Sequence, residues 1–559
     1  MEKDFKARLQ ETLDAIIREH YGSQPSLPAV EVEIPKERQH GDLATNVAMK
    51  SARILRKSPL AIAQDLVPVL QDRIAQSPLK DHIARIEVKP PGFINFFLSA
   101  SAISDKLTRI LQEKDRYGSA QKGQGRSVQI EFVSANPTGP LSVAHARQAA
   151  VGDALGNIFR FLGYSVVKEY YVNDEGNQIN LLGESVRRQA QQILLKQPAT
   201  TEVAYQGEYI VALAAAFIEQ NKVTADTDLS APDWQDRIRE FAVQRLLEVI
   251  RTELADFGVT FDVWAHQSKI ADQKAVVRLL EDLRRKDYIY DYDGAQWFRS
   301  TPLGDDKDRV VKKRDGSYTY LAPDIVYHQD KYRRGFQTLI NIWGPDHHGY
   351  IPRLKAAVAA LGQDPESLHV LIVQLATIFR NGKPVSMSTR RGQYIQLREV
   401  MEEVGSDAAR FFFLMRHLNA HLDFDLELAK KETPENPVYY IQYAHARIHS
   451  IYKKAREAEL QMACRDFILL QEPEEEDLIK TLGHFPYILE RCRQELDPYA
   501  LVNYLMICAT DFHRFYDRHR VVDAERPDLS AQRLALIEAT RIVLSNGLTL
   551  LGISRPEQM

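Results

Sequence analysis

Apolar residues at helical spacing open the chain. Phe5, Leu9, Leu13, Ile16 and Ile17 recur every three or four positions among charges, which predicts an amphipathic domain helix over about 1–21 rather than a signal peptide. Helical and strand patterns then alternate to about residue 120, with the stretch IEVKPPGFINFFL near the end, where Pro90, Pro91 and Gly92 punctuate two short strands. A small α+β domain is expected there, followed by a polar, glycine-rich linker at 121–127. From Ser127 the pattern changes. A strand (127–134), the loop ANPTGPLS, a helix over about 143–162 closed by Gly163, and a second strand (165–172) make a βαβ unit. A second unit lies at 336–376, with strand FQTLINIWG, helix IPRLKAAVAAL and strand HVLIVQLA. The two halves predict one split nucleotide-binding domain, interrupted by a mostly helical, polar insertion over about 182–290. After about residue 405 no strand pattern survives, and helical runs at 436–455 and 533–552 predict a bundle. The expected architecture is an α+β N-terminal domain (1–120), an α/β Rossmann-type domain (121–404) and an all-α C-terminal bundle (405–559).

Composition narrows the class. The chain has 559 residues, 44% hydrophobic and 26% charged, the mix of an ordinary globular protein, which excludes general disorder. Net charge is −4, so any nucleic-acid binding must come from local basic patches. Nowhere do about 18 apolar residues run together, so no membrane span is expected. Cys464, Cys492 and Cys508 lack the spacing of a disulfide framework or a zinc site. No metal site is expected, and the cytoplasm is the expected compartment.

In open parallel sheets, ligands bind beyond the C-terminal strand ends, where unpaired N–H groups and helix dipoles favour anions. The first unit places Glu131, Ser134, Asn136, Ser142 and His145 there. Glu131 alternates with Ile130 and Phe132, so its carboxylate needs a partner, either a nearby Lys or Arg or a cationic ligand. His145, by position alone, fits a capping or packed histidine better than a functional one. The second unit supplies Gly344, Asp346, His347 and His348. The adjacent histidines point to different sides, so a shared metal is not expected. Tyr320 and Asp324 are four apart and would share a helical face. Ser386, Met387, Ser388, Thr389 and Arg390, with Lys383 and Arg391 alongside, form a polar loop that suits a triphosphate, though a solvated surface loop reads the same way. Near the C-terminal bundle, Lys430, Lys431, Arg447, Lys453, Lys454 and Arg456 are interleaved with Tyr439, Tyr440, Tyr443 and Tyr452, a face for unpaired bases unless the rings are core.

Several long stretches are specific: QHGDLATNVAM, EFVSANPTGPLSVAHARQAAVGDAL, YYVNDEGNQI, YTYLAPDIVYH, GPDHHGYIPRLKAA, VSMSTRRGQYIQL, SDAARFFFLMR, ENPVYYIQYAHARI and NGLTLLGISRPEQM. Together they resemble the arginyl-tRNA synthetases, a class I family, over essentially the whole chain. The resemblance implies an N-terminal tRNA-contacting domain, a Rossmann catalytic domain and a helical anticodon-binding domain. It also implies ligation of L-arginine to arginine tRNA through arginyl-adenylate, with ATP and accompanying Mg2+, by a monomer independent of membranes. Carried over, arginine would be held by Glu131, Ser134, Asn136, Tyr320 and Asp324, and ATP by Ala144, His145, Gly344, Asp346, His347, Lys383 and Ser388. Catalysis would rest on Ser142, His145, Met387, Ser388 and Arg390, and tRNA contact on Tyr439, Tyr443 and Arg447. The family's HIGH signature stands here as Ser142, Val143, Ala144, His145, and its KMSKS loop as Ser386 to Arg390 without either lysine. A paralogue that binds tRNA or arginine without efficient adenylation is the competing reading.

Overall fold

The computed structural model describes residues 5–22, 27–35, 37–198, 203–385 and 395–559. The amphipathic pattern at the N-terminus forms α1 (Phe5–Tyr21), which buries Leu9, Leu13, Ile16 and Ile17. It is followed by β1 (Leu43–Thr45), α2 (Val47–Leu55), α3 (Pro59–Ala75), β2 (Ile83–Lys89), β3 (Phe93–Leu98) and α4 (Ala100–Glu113). The three strands form an antiparallel sheet in the order β1-β3-β2, and with α1 to α3 they enclose a core running from Leu9 to Phe96. The side-chain oxygens of Ser58 and Ser99 cap α3 and α4, satisfying first-turn N–H groups.

The central region comprises β4 (Ser127–Glu131), α5 (Val143–Phe161), β5 (Ser165–Val172), α6 (Asn177–Leu194), α7 (Glu208–Asn221), α8 (Pro232–Asp256), β6 (Val263–His266), α9 (Gln267–Ile270) and α10 (Gln273–Arg285). It continues through β7 (Ile289–Tyr292), β8 (Ala295–Phe298), β9 (Arg309–Lys312), α11 (Leu321–Arg333), β10 (Thr338–Trp343), α12 (Ile351–Ala360) and β11 (Leu368–Ile372). Five parallel strands make the main sheet, in the order β11-β10-β4-β5-β6. The chain builds outward from β4 through β5 to β6, then returns to lay β10 against the other side of β4. The crevice between the ends of β4 and β10 is therefore the topological switch point, where such sheets bind ligands.

Then come β12 (Ala376–Arg380), β13 (Lys383–Pro384), α13 (Leu397–Val404), α14 (Ser406–Leu414), β14 (Leu422–Asp425) and α15 (Leu426–Ala429). The bundle consists of α16 (Pro437–Glu457), α17 (Pro473–Gly483), α18 (Phe485–Glu495), α19 (Tyr499–Arg518) and α20 (Pro527–Leu551). α20 is long and apolar enough to cross a membrane by length and composition, but it is a buried core helix packed against α4, α5, α16 and α19. Although the sequence reading grouped α4 with the N-terminal region, it packs on α17 and α20.

The structure corrects two sequence expectations and refines a third. The insertion over about 182–290 is mostly helical, as expected, but it also carries β6, the fifth strand of the main sheet, and β7, at its end, opens a separate antiparallel sheet with β8 and β9. Strands of four residues carry too few alternations for periodicity to register. Beyond residue 405 a strand does survive: β14 pairs in parallel with β12. The 121–127 segment is packed rather than a free linker. Gly123 donates to the Leu162 carbonyl, and a Cβ at Gly123 would stand 2.4 Å from the Gly163 oxygen.

Candidate active site

At the end of β4 the backbone turns through Val133 and Ser134, both with positive φ (67° and 40°). For a β-branched residue such as Val133 this conformation is strained, and it is tolerated where a site over-determines it. The turn lets the Ser134 hydroxyl donate to Glu131 Oε1 at 3.1 Å, while Ser134 Oγ accepts the Tyr171 N–H. Glu131 is buried, and its Oε2 takes Lys331 Nζ at 2.5 Å. Lys331 also donates to Asn341 Oδ1 (3.0 Å), whose Nδ2 stands 3.0 Å from His328 Nε2. His328 Nδ1 closes on Asp324, 2.9 Å from its backbone carbonyl and 3.2 Å from Oδ1. With the Asn341 oxygen facing Lys331, its NH2 faces Nε2, so Nδ1 carries a proton toward Asp324. A continuous buried relay thus links Glu131 to Asp324.

Asp324 sits in the first turn of α11, where the helix dipole favours a carboxylate. Burial opposes its charge, but the His328 imidazole and the Tyr350 hydroxyl beside it hold the carboxyl below its usual range. Among the described residues, no lysine or arginine pairs with Asp324 at ion-pair distance. Tyr171 stacks on Tyr327 with ring centroids 4.4 Å apart. The Tyr171 hydroxyl donates to Gln267 Oε1, and its pKa is raised by burial and then by Asp324, Glu131, Asp174 and Glu175. The pocket is therefore rich in carboxylates and walled by aromatic rings. Asp174 is committed elsewhere, to His266 and Ser268. Asn136 donates to Gln178. Tyr320 immediately precedes α11 and is 68% exposed, so it stands at the rim while Asp324 points inward.

The second half of the site is the entry to α5. Ser142 precedes the helix, its N–H donates to His145 Nδ1 at 3.2 Å, and its Oγ lies 3.1 Å from the same nitrogen. Nδ1 is thus an acceptor and Nε2 carries the proton. Burial pushes His145 down to about 4, so it is neutral near pH 7. It caps the helix, and at the same time it offers a fixed Nε2–H donor. Ser142 is bridged antiparallel to Gln396, with Val143 N–H on the Ile395 carbonyl and Leu397 N–H on the Leu141 carbonyl. Thus the residues that follow 386–394 are tied to the HIGH-like stretch. Ser386, Met387, Ser388, Thr389, Arg390 and Arg391 themselves lie outside the described residues. Lys383 is exposed on β13, in the hairpin that precedes them. Gly344 leads into a turn over Pro345–Tyr350 on which Asp346, His347 and His348 are exposed, with His347 against Trp343 (centroids 5.7 Å).

On the bundle, Tyr439 and Tyr443 stack (6.0 Å, 9°), and Arg447 lies over both Tyr443 (4.6 Å) and Tyr516 (4.9 Å). Lys430 and Lys431 are paired with Glu403, Glu427 and Glu435, and Tyr452 is bonded to Glu538, so these three serve the fold. Lys453, Lys454 and Arg456 are exposed on the same helix.

Sequence reasoning missed Lys331, Asn341, His328, Tyr171 and Tyr350. One signal was available: an asparagine in the apolar strand TLINIW implies a buried polar partner.

A split parallel sheet with a helix N-terminus and a carboxylate pocket at its switch point, continued by a helical bundle, is the organisation of a class I tRNA synthetase. In agreement, the family model described as "tRNA synthetases class I (R), catalytic domain" matches residues 106–417. The arginyl tRNA synthetase N terminal domain matches 3–98, and the DALR anticodon binding domain matches 441–559. The arginine–tRNA ligase of Anoxybacillus flavithermus is 44% identical, covering 100% of this chain and 99% of that protein. That of Bacillus subtilis is 43% identical over 98% of each. The solved arginyl-tRNA synthetase of Thermus thermophilus, 22% identical, shares the fold over 100% of both chains with a TM-score of 0.76. The chain belongs to the arginine–tRNA ligase family.

Proposed function

We propose that the switch-point crevice forms arginyl-adenylate from L-arginine and ATP, and that the arginyl group then passes to the terminal ribose of arginine tRNA. The overall activity is that of the family: an enzyme that ligates arginine to tRNA, with ATP as a substrate. In the first step an arginine carboxylate oxygen attacks the α-phosphorus and pyrophosphate leaves. In the second a ribose hydroxyl attacks the carbonyl carbon of the adenylate and AMP leaves.

The observation that carries this reading is Asp324, a partly buried carboxylate, 26% exposed, without a lysine or arginine partner among the described residues, beside Tyr171 and Tyr350. A planar guanidinium supplies paired donors for its two oxygens and stacks on aromatic faces, and lysine has neither property. Glu131, already neutralised by Lys331, contributes through the relay that orients Asp324, while Ser134, Asn136 and Tyr320 line the approach. ATP lies at the α5 N-terminus, where first-turn N–H groups and His145 Nε2–H meet phosphate or ribose oxygens, with Ser142 and Ala144 beneath and Gly344, Asp346 and His347 opposite. Lys383, Met387, Ser388 and Arg390 complete the phosphate side. Mg2+ arrives on the ATP phosphates. Such an ion binds mainly through substrate phosphates and keeps several of its waters.

The division at residues 120 and 404 separates tRNA-contacting, catalytic and anticodon-binding parts, with Tyr439, Tyr443 and Arg447 facing the anticodon. The enzyme works as a monomer in the cytoplasm, away from membranes, where the free thiols of Cys492 and Cys508 stay reduced. Pyrophosphate exchange with arginine, ATP and cognate tRNA tests the reading. Robust exchange is expected, and its absence with tRNA present would favour the non-adenylating paralogue.

A further inference from the structure

The last turn of α8 reaches both stretches assigned to ATP. Glu253 is 5% exposed, and its Oε2 accepts the Leu141 N–H at 3.3 Å. Leu141 immediately precedes Ser142, and its own carbonyl accepts the Leu397 N–H at 2.8 Å. One turn along α8, Asp256 pairs with Arg398 at 2.7 Å, and its carbonyl accepts the Ser406 hydroxyl. A single helical turn therefore grips the entry to α5 with one carboxylate and the start of α13 with the other. Behind it lies an apolar cavity of about 440 Å³ lined in part by Leu213, Leu246 and Val249, with Pro140, Glu253 and Arg398 on its wall. Accepting one N–H does not require a carboxylate, and burial pushes this one up. What the charge adds is attraction to the positive end of α5 and to Arg398.

We propose that Glu253 is a positioning residue for adenylation, one that fixes Leu141, and through it Ser142 to His145, against the segment that follows residue 394. The inference rests on the reading that ATP binds at Ser142 to His145. Its test is the KM for ATP and for arginine in pyrophosphate exchange with tRNA present, for Glu253→Leu, Glu253→Gln and His145→Ala. Glu253→Leu, which keeps the bulk and loses the acceptor, should raise the ATP KM on the order of tenfold with the arginine KM nearly unchanged. Glu253→Gln, which keeps an acceptor, should recover most of that loss. His145→Ala separates the two readings. If it leaves the ATP KM unchanged, the placement of ATP is wrong; if it raises the ATP KM while folded Glu253→Leu does not, Glu253 does not position the site. A proportional rise in both KM values in Glu253→Leu would make the residue merely structural and overturn the proposal. Should Glu253→Leu fail to fold, Arg398→Met releases the other end of the same turn at a partly exposed position. It should raise the ATP KM about threefold or more, and an unchanged value would overturn the proposal.

Discussion

At the residue scale, Asp324 and His145 illustrate opposite uses of burial. Asp324 stays ionised because neighbours donate to it, and removing it should cost about 2–5 kcal/mol of arginine binding while leaving ATP nearly untouched. Steady-state kinetics of Asp324→Ala check this, and equal changes in both KM values would assign Asp324 to the fold. His145 is kept neutral by burial. Its folded pKa of about 4 lies below the unfolded value of about 6.5, so the unfolded chain binds the extra proton first. Stability from this site is therefore full above about pH 6.5 and is lost as pH falls toward 4. Histidine NMR should show a midpoint near 4 for His145, and one near 6.5 would contradict the capped, neutral state. At the two signature departures, Ser142→His with Ala144→Gly should raise the activation rate, one preorganised donor contributing about 10²-fold. Unchanged or lower exchange would mean that the pocket has adapted to serine and alanine.

At the scale of elements, α5 is fastened near its start and at its middle. Two residues past His145, Arg147 is fully buried and donates to the carbonyls of Gln374, Ala420 and His417, joining the helix to the loops before β12 and β14. Burial lowers its pKa to about 10, still a cation at neutral pH. Arg147→Met would leave three carbonyls without this donor, and a loss of at least about 3 kcal/mol is expected in chemical denaturation. Further along α5, Asp153 meets Lys168 and Arg410, each at 2.6 Å, and Arg410 also donates to the Leu551 carbonyl at the end of α20. The first βαβ unit was legible in sequence because β4, α5 and β5 are set apart by the loop ANPTGPLS and by Gly163, whereas β6 and β14, at four residues each, were too short to register.

Across the whole molecule, one hydrophobic core runs from Leu98 through α5 and α14 to Ile553, so the catalytic sheet and the bundle share an interior. A chain ending near residue 425 would strip α20 from α5 and expose that interior. It is expected to aggregate rather than to bind ATP, as sedimentation would reveal. The bundle's tRNA role is better tested by substitution. Arg447→Ala with Tyr443→Ala should weaken tRNA binding by about 1–3 kcal/mol for each lost base stack, and should shallow the slope of log affinity against log salt by about one for each phosphate contact removed. Undiminished affinity would place the anticodon elsewhere.

By itself the sequence determined the class of the fold, the two βαβ halves, the helical bundle and the residues at the strand ends, because apolar periodicity and long local motifs are written in neighbouring positions. Only the tertiary structure decided what those residues face. Glu131 was open between a protein cation and a ligand until α11 brought Lys331 against it, 200 residues away along the chain. The relay through Asn341 and His328 to Asp324, the bridge from Ser142 to Gln396 and the contact of Glu253 with Leu141 likewise join residues on separate elements. The reason is physical: a buried charge must find its partner in space, and no local pattern records which distant element supplies it.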